Sequence, residues 1–204
     1  LWWVLQSDRA DIAINGAYAL VYLSNIWASG HVGYFQGQSI AYPFLHTWSL
    51  SLEMQFYTII FLMALLLPLT KHRKLVLSGI FTVSAAYCVW SYVKGDTQAY
   101  YNIFDRLWQF SLGTMIWIFP RPRLSSVVAN IIYAIALAVI VGAGLFYTLQ
   151  FACPSYMTIF PCLAVATIIM LPETRVGRLC LVPISPLGVV SYSVYLWHWP
   201  VFVL

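Results

Sequence analysis

Apolar runs separated by short polar breaks fill the sequence from one end to the other. After a polar break at Gln6–Asp11, the first complete run extends from about Ile12 to Ala28, with Asp11 placed to cap it. A Gly/Tyr/Gln-rich loop, Gly30–Leu45, leads to a second run that begins at His46 and continues through Pro68. The third run covers Leu75–Val93 and the fourth Asp105–Phe119, before Pro120-Arg-Pro-Arg123 breaks the chain. The fifth, Val127–Leu149, is the longest and most uniformly apolar. The sixth, Tyr156–Leu171, is short and interrupted by Pro161, which predicts a kinked or partly re-entrant segment. A loop from Pro172 to Pro186 precedes the last run, Leu187–Leu204. A helix of about 20 apolar residues crosses a bilayer, so the pattern predicts an all-α, polytopic transmembrane helix bundle of about seven membrane segments. Leu1–Leu5 reads as the tail of a helix already under way, and Leu204 falls inside an apolar run. Residues 1–204 are therefore expected to form a single membrane domain truncated at both ends.

Composition points the same way. Of 204 residues, 62% are hydrophobic and only 8% charged, against about 25% charged in soluble domains. The net charge of +4 matters less than where the charges fall. Arg9, then Lys71, Arg73 and Lys74, then Arg121 and Arg123, then Arg175 and Arg178 occupy alternate loops. The opposite side holds only Lys94, with Arg106 at the start of a helix. The side richer in basic residues is expected to be cytoplasmic. That places the Gly30–Leu45 loop outside, and His46, Arg106 and His198 in the outer half of the bilayer. Basic residues confined to short loops form no patch, so no nucleic-acid partner is expected. Cys88, Cys153, Cys162 and Cys180 show no paired short spacing and the four histidines are scattered, so no metal site is expected. A Cys153–Cys162 disulfide is the one pairing the spacing leaves open.

The polar residues inside these runs carry the chemistry. In a helix, His46, Ser49, Glu53 and Tyr57 follow one another at three and four residues and share a face. Trp48 and Gln55, seven apart, mark a neighbouring stripe. A carboxylate about 10 Å below His46 costs about 2.5–3.5 kcal/mol on insertion scales, so such residues face a polar interior and serve a purpose. Glu53 is thus either a site residue, half of a structural pair with Arg106, or a buried neutral acid. Arg106, Gln109 and Gly113 share a face of the fourth run. Arg106 is either an anion clamp, suited to carboxylate or phosphate, or an interfacial arginine reaching for headgroups. In the last run Ser191, Tyr195 and His198 line up as hydroxyl, phenol and imidazole, while Trp197 and Trp199 suit an aromatic belt. His31 and His72 fall in loops and are read as incidental. Spacing alone supports proton transfer or polar-substrate binding within a membrane. It leaves open an enzyme or a proton-coupled transporter or lipid-linked sugar flippase.

The stretch His46-Thr-Trp-Ser-Leu-Ser-Leu-Glu-Met-Gln-Phe-Tyr57 closely resembles a signature of the acyltransferase-3 family, bacterial integral-membrane acyltransferases, many of which O-acetylate cell-surface polysaccharides. Three more stretches agree in order: Ser24-Asn25-Ile26 near the end of a preceding helix, Arg106-Leu-Trp-Gln-Phe-Ser-Leu-Gly113 and Ser191-Tyr-Ser-Val-Tyr-Leu-Trp-His-Trp-Pro200. Met54 stands where the family usually has a second glutamate, and Gln109 where relatives often have Glu. The resemblance also implies an upstream helix pair bearing a basic residue and, about ten positions later, a histidine essential for transfer, and no stretch of the chain matches that motif. The resemblance implies an O-acetyltransferase of the bacterial inner (plasma) membrane, multi-pass. It would take an acyl group, acetyl, from acetyl-CoA (acyl-CoA) and pass it to a hydroxyl of a cell-surface polysaccharide or related glycan. Donor, glycan acceptor and membrane lipid are the implied partners, with no bound cofactor. On this reading His46, Glu53 and His198 are the catalytic candidates. Trp48, Ser49, Gln55, Tyr57, Arg106 and Tyr195 are the substrate-binding ones.

Overall fold

The apolar runs fold as helices, and no strand occurs among the described residues of the computed structural model, which are 6–31, 42–66, 72–147 and 155–203. The helices are α1 (Gln6–Leu20), α2 (Ser24–His31), α3 (Trp48–Leu66), α4 (His72–Lys94), α5 (Leu107–Ile118), α6 (Ser126–Phe146), α7 (Ile159–Met170), α8 (Arg175–Leu181) and α9 (Ser185–Val203). The tail Leu1–Leu5, most of the Gly30–Leu45 loop, Pro68, Cys153 and Leu204 lie outside the described residues.

Among the described residues, four stretches are long and apolar enough to cross a membrane: Leu45–Leu66, His72–Lys94, Ser126–Phe146 and Arg175–Val203. The remaining expected segments are shorter. The run Ile12–Ala28 is broken, because α1 ends at Leu20 and the chain turns through Tyr22, held at φ 56°. Asp11 therefore lies inside α1 rather than capping a helix, and Ser24-Asn25-Ile26 opens α2 rather than closing its predecessor. Helices α5 and α7 have 12 residues each, about 18 Å of helix against about 30 Å of hydrocarbon. Pro161 is the third residue of α7, where its missing N–H belongs to the unpaired first turn, so it starts the helix instead of interrupting it. The expected Pro172–Pro186 loop contains α8. Thr174 caps that helix by accepting from the Gly177 N–H at 2.9 Å.

What is buried tells how these helices associate. Beside large buried side chains such as Trp27, Leu52, Leu77 and Trp108, many interior positions are small or weakly polar, among them Ser51, Ser84, Ser91, Ser111, Ala129, Ala136, Ala164 and Ala166. Leu65, Leu66, Trp117, Leu145, Phe146, Val201 and Phe202 point outward. Where lipid replaces water, burying leucine against leucine gains little, and close backbone approach and interhelical hydrogen bonds hold helices together.

The chain divides into two compact units. The first comprises Leu1–Pro68, Tyr100–Ile103 and Val190–Leu204. In it α2 is tied to the start of α3, with the Ser24 N–H donating to Ser51 Oγ at 3.1 Å and Ser24 Oγ meeting Thr47 Oγ1 at 2.8 Å. Gln55 Nε2 donates to Asn25 Oδ1 at 2.8 Å and to the Tyr22 carbonyl at 3.0 Å, and Asn25 Nδ2 donates to the Tyr101 carbonyl at 3.1 Å. The second unit comprises Leu69–Ala99 and Phe104–Val189. Ser84 joins α4 to the start of α5, donating to the Phe104 carbonyl at 2.6 Å and accepting from the Trp108 N–H at 2.8 Å. Ala129, Tyr133 and Leu171 make a small core with Ile132, Ile168 and Val176.

Candidate active site

The first unit gathers the polar residues of two distant stretches of sequence. A 3₁₀ turn, Leu45–Thr47, leads into α3 and buries His46. Against it lies the C-terminal part of α9. Tyr195 hydroxyl donates to the His46 carbonyl in a short hydrogen bond. Ser49 Oγ is 2.7 Å from the same phenol oxygen. A phenol has one O–H, already given to the carbonyl, so Ser49 is the donor of that pair. The Tyr195 and His198 rings approach the His46 ring edge-on, with centroids 5.5 and 5.6 Å away.

His198 is exposed, and its Nδ1 lies 2.6 Å from the Tyr195 carbonyl. A carbonyl only accepts, so Nδ1 carries the hydrogen and the Nε2 of the neutral ring keeps its lone pair. That is the arrangement of a general base: one nitrogen fixes the tautomer and the other is open to a proton. His46 sits behind it with both ring nitrogens buried and without a hydrogen-bond partner among the described residues. The backbone of Pro43 and of Leu196 comes beside that ring, short of hydrogen-bond geometry.

The other sequence candidates are placed differently. Glu53 is half-buried on α3, with no hydrogen-bond or ion-pair partner among the described residues. Trp48 is buried against Tyr100 and Tyr101, with ring centroids at 4.6 and 5.5 Å. Gln55 is occupied by Asn25 and the Tyr22 carbonyl, so it braces α2 against α3. Tyr57 is 58% exposed. Arg106 belongs to the second unit, where its Nη1 donates to Gln109 Oε1 at 3.4 Å. The structure therefore brings together His46, Ser49, Tyr195 and His198, and gives Trp48 and Gln55 structural neighbours.

Two residues with a claim to importance were not singled out by spacing. Asn25 links α2, α3 and Tyr101 through its amide. Its signal was present, since adjacent Ser24 and Asn25 interrupt an apolar run. Asp105 is fully buried in the second unit. In a chain with six acidic residues, an Asp beside an Arg at the start of an apolar run is the feature that marks it.

Comparison with known proteins follows the same lines. A family model described as an acyltransferase domain, acyltransferase-3, matches residues 12–204. The membrane-bound transacylase BcsY of Komagataeibacter xylinus is 78% identical over 200 residues, covering 98% of this chain and 52% of that protein. The O-acetyltransferase OatA of Staphylococcus aureus is 29% identical over 222 residues, and the peptidoglycan O-acetyltransferase OatA of Listeria monocytogenes 30% over 223. Each alignment covers 98% of this chain and 35% of the relative. The chain thus spans about half the length of BcsY and about a third of OatA. No solved structure matches it significantly.

Proposed function

Because the chain belongs to the acyltransferase-3 family, we propose that it is the membrane part of an O-acetyltransferase of the bacterial inner membrane, crossing it several times. The donor is acetyl-CoA and the acceptor a hydroxyl of a cell-surface polysaccharide or related glycan. The observation that carries this reading is His198, whose Nδ1–H is held by the Tyr195 carbonyl so that Nε2 is left to take a proton. The acceptor hydroxyl gives its proton to Nε2 as its oxygen attacks the thioester carbonyl. The new C–O bond forms, the C–S bond breaks, and the thiolate leaves with the proton returned by the imidazolium. His46 closes the back of the site, and Glu53 supplies negative charge on α3 that favours the transient imidazolium. Products are the acetyl ester and free CoA.

Membrane vesicles containing the full-length protein test this directly. Supplied with acetyl-labelled acetyl-CoA, they should accumulate label as base-labile ester on glycan and release free thiol, with no requirement for a proton gradient. Uptake of unmodified substrate that depends on a gradient, with no ester formed, would favour a transporter and overturn the reading.

A further inference from the structure

Helices α5 and α7 of the second unit leave an open groove of about 290 Å³ between them. Gln109, Gly113 and Ile116 of α5 line one wall, and Pro161, Ala166 and Ile169 of α7 the other. Among the described lining residues only Gln109, at one end, carries an amide, hydroxyl or charge. The rest of the α5 wall is apolar over about 10 Å. Glycine is the least favourable helix residue after proline, and Gly113 serves no close contact between helices. A Cβ added there would meet nothing within 4 Å outside its own helix, so the missing side chain is what keeps the groove open.

The polar end of the groove carries a cation. Arg106 Nη1 donates to Gln109 Oε1 at 3.4 Å, which brings a half-buried guanidinium to the end of the apolar walls. With five N–H donors in a fixed fork, that group can hold a phosphate while keeping Gln109. Arg106 is also the N-cap of α5, so the positive end of that helix dipole lies at the same place. Asp105, the preceding residue, is fully buried, and no carboxylate lines the groove among the described residues. Helices α5 and α7 have 12 residues each, about 18 Å against about 30 Å of hydrocarbon. Apolar stretches this short draw the headgroup layer inward, which brings lipid phosphate toward Arg106.

We propose that the α5–α7 groove is the seat of one anionic phospholipid, its acyl chain against Gly113 and its phosphate on Arg106. A net negative head is selected because the site offers a guanidinium and a helix N-terminus, with no lining carboxylate to meet the ammonium of a zwitterionic head. The seat is independent of the reading of His46 and His198 as the acid–base site, and it gives Arg106 a ligand of its own.

Native mass spectrometry of the full-length protein, released from nanodiscs of equal phosphatidylglycerol and phosphatidylethanolamine, is the test. Wild type should retain one phosphatidylglycerol per chain, preferred about tenfold over phosphatidylethanolamine, the worth of a hydrogen-bonded charge. Gly113→Leu fills the groove from a position with room for a side chain, so the protein should accumulate normally and hold the lipid about tenfold less well or worse. Arg106→Gln should keep the tail site and lose the preference, retaining the two lipids about equally. Wild type that retains no lipid, or both lipids equally, would overturn the proposal, as would undiminished phosphatidylglycerol on Gly113→Leu. An unchanged preference in Arg106→Gln would show that the guanidinium serves only its own chain and would refute the headgroup assignment. Displacement of the lipid by added acetyl-CoA would make the groove part of a donor path and equally refute a lipid seat. Wild type and Gly113→Leu decide the matter even where Arg106→Gln fails to accumulate.

Discussion

Removing one oxygen atom from Tyr195 probes how α9 is held to the start of α3. Tyr195→Phe, made in the full-length protein, keeps the ring and its edge-on packing 5.5 Å from His46. It deletes the hydroxyl that Ser49 Oγ meets at 2.7 Å and that donates to the His46 carbonyl. Each hydrogen bond is worth about 0.5–1.5 kcal/mol net, and side-chain bonds between membrane helices average about 0.6 kcal/mol. Ser49 can partly recover by turning to the carbonyl four residues earlier, which lowers the cost. The expected loss is about 1–2 kcal/mol. If all of it is felt where the two imidazoles meet, transfer falls about 5- to 30-fold. Thermal denaturation of the solubilised protein and acetyl transfer at equal protein amounts measure the two effects. Ser49→Ala removes only one of the bonds and should cost about half as much. The double variant should cost little more than Tyr195→Phe alone and far less than the sum of the two, because the serine's interhelical partner is already gone. A Tyr195→Phe protein with wild-type stability and activity, or losses that add in the double variant, would refute the three-residue link.

Three further substitutions follow from the same geometry. Glu53→Gln should lower transfer by about 100-fold or more at normal membrane abundance, since a neutral side chain is cheaper to bury; reduced abundance instead would mark Glu53 as structural. Asn25→Ala removes the bonds to Gln55 and the Tyr101 carbonyl and should reduce abundance and thermal stability, and an unchanged melting profile would contradict its bracing role. Gly177→Ala places a methyl 2.9 Å from the Tyr133 ring and Thr174 Oγ1, an overpacking expected to cost about 1–3 kcal/mol, read as a drop in thermal stability.

The sequence was most legible where chemistry is uniform. Helices α3, α4 and α6 coincide with long apolar runs because nothing in those runs offers the backbone an alternative to its own hydrogen bonds. The break between α1 and α2 was not legible. Val21-Tyr22-Leu23 contains no glycine, proline or asparagine, and the turn is sustained by a distant partner, Gln55, which donates to the Tyr22 carbonyl. Helix α8 was hidden by the prolines on either side of it, Pro172 before and Pro183 and Pro186 after, although Thr174 three residues before Gly177 is a readable cap. For the site, helical spacing placed His46 and Ser49 together and Tyr195 with His198. It also put Tyr57 on that face, yet Tyr57 is exposed. Which histidine nitrogen is held, and by which carbonyl, depends on a contact that only the folded chain contains.

The central claim is that His198, backed by His46, is the base of an acetyl transfer. Its most direct measurement is turnover of labelled acetyl-CoA by the full-length protein in proteoliposomes, comparing His198→Gln and His46→Gln with wild type at matched protein levels. His198→Gln should lose about 100-fold or more of its turnover, with KM for acetyl-CoA little changed, and His46→Gln should also fall. Wild-type turnover in His198→Gln would contradict it and place the base elsewhere in the protein.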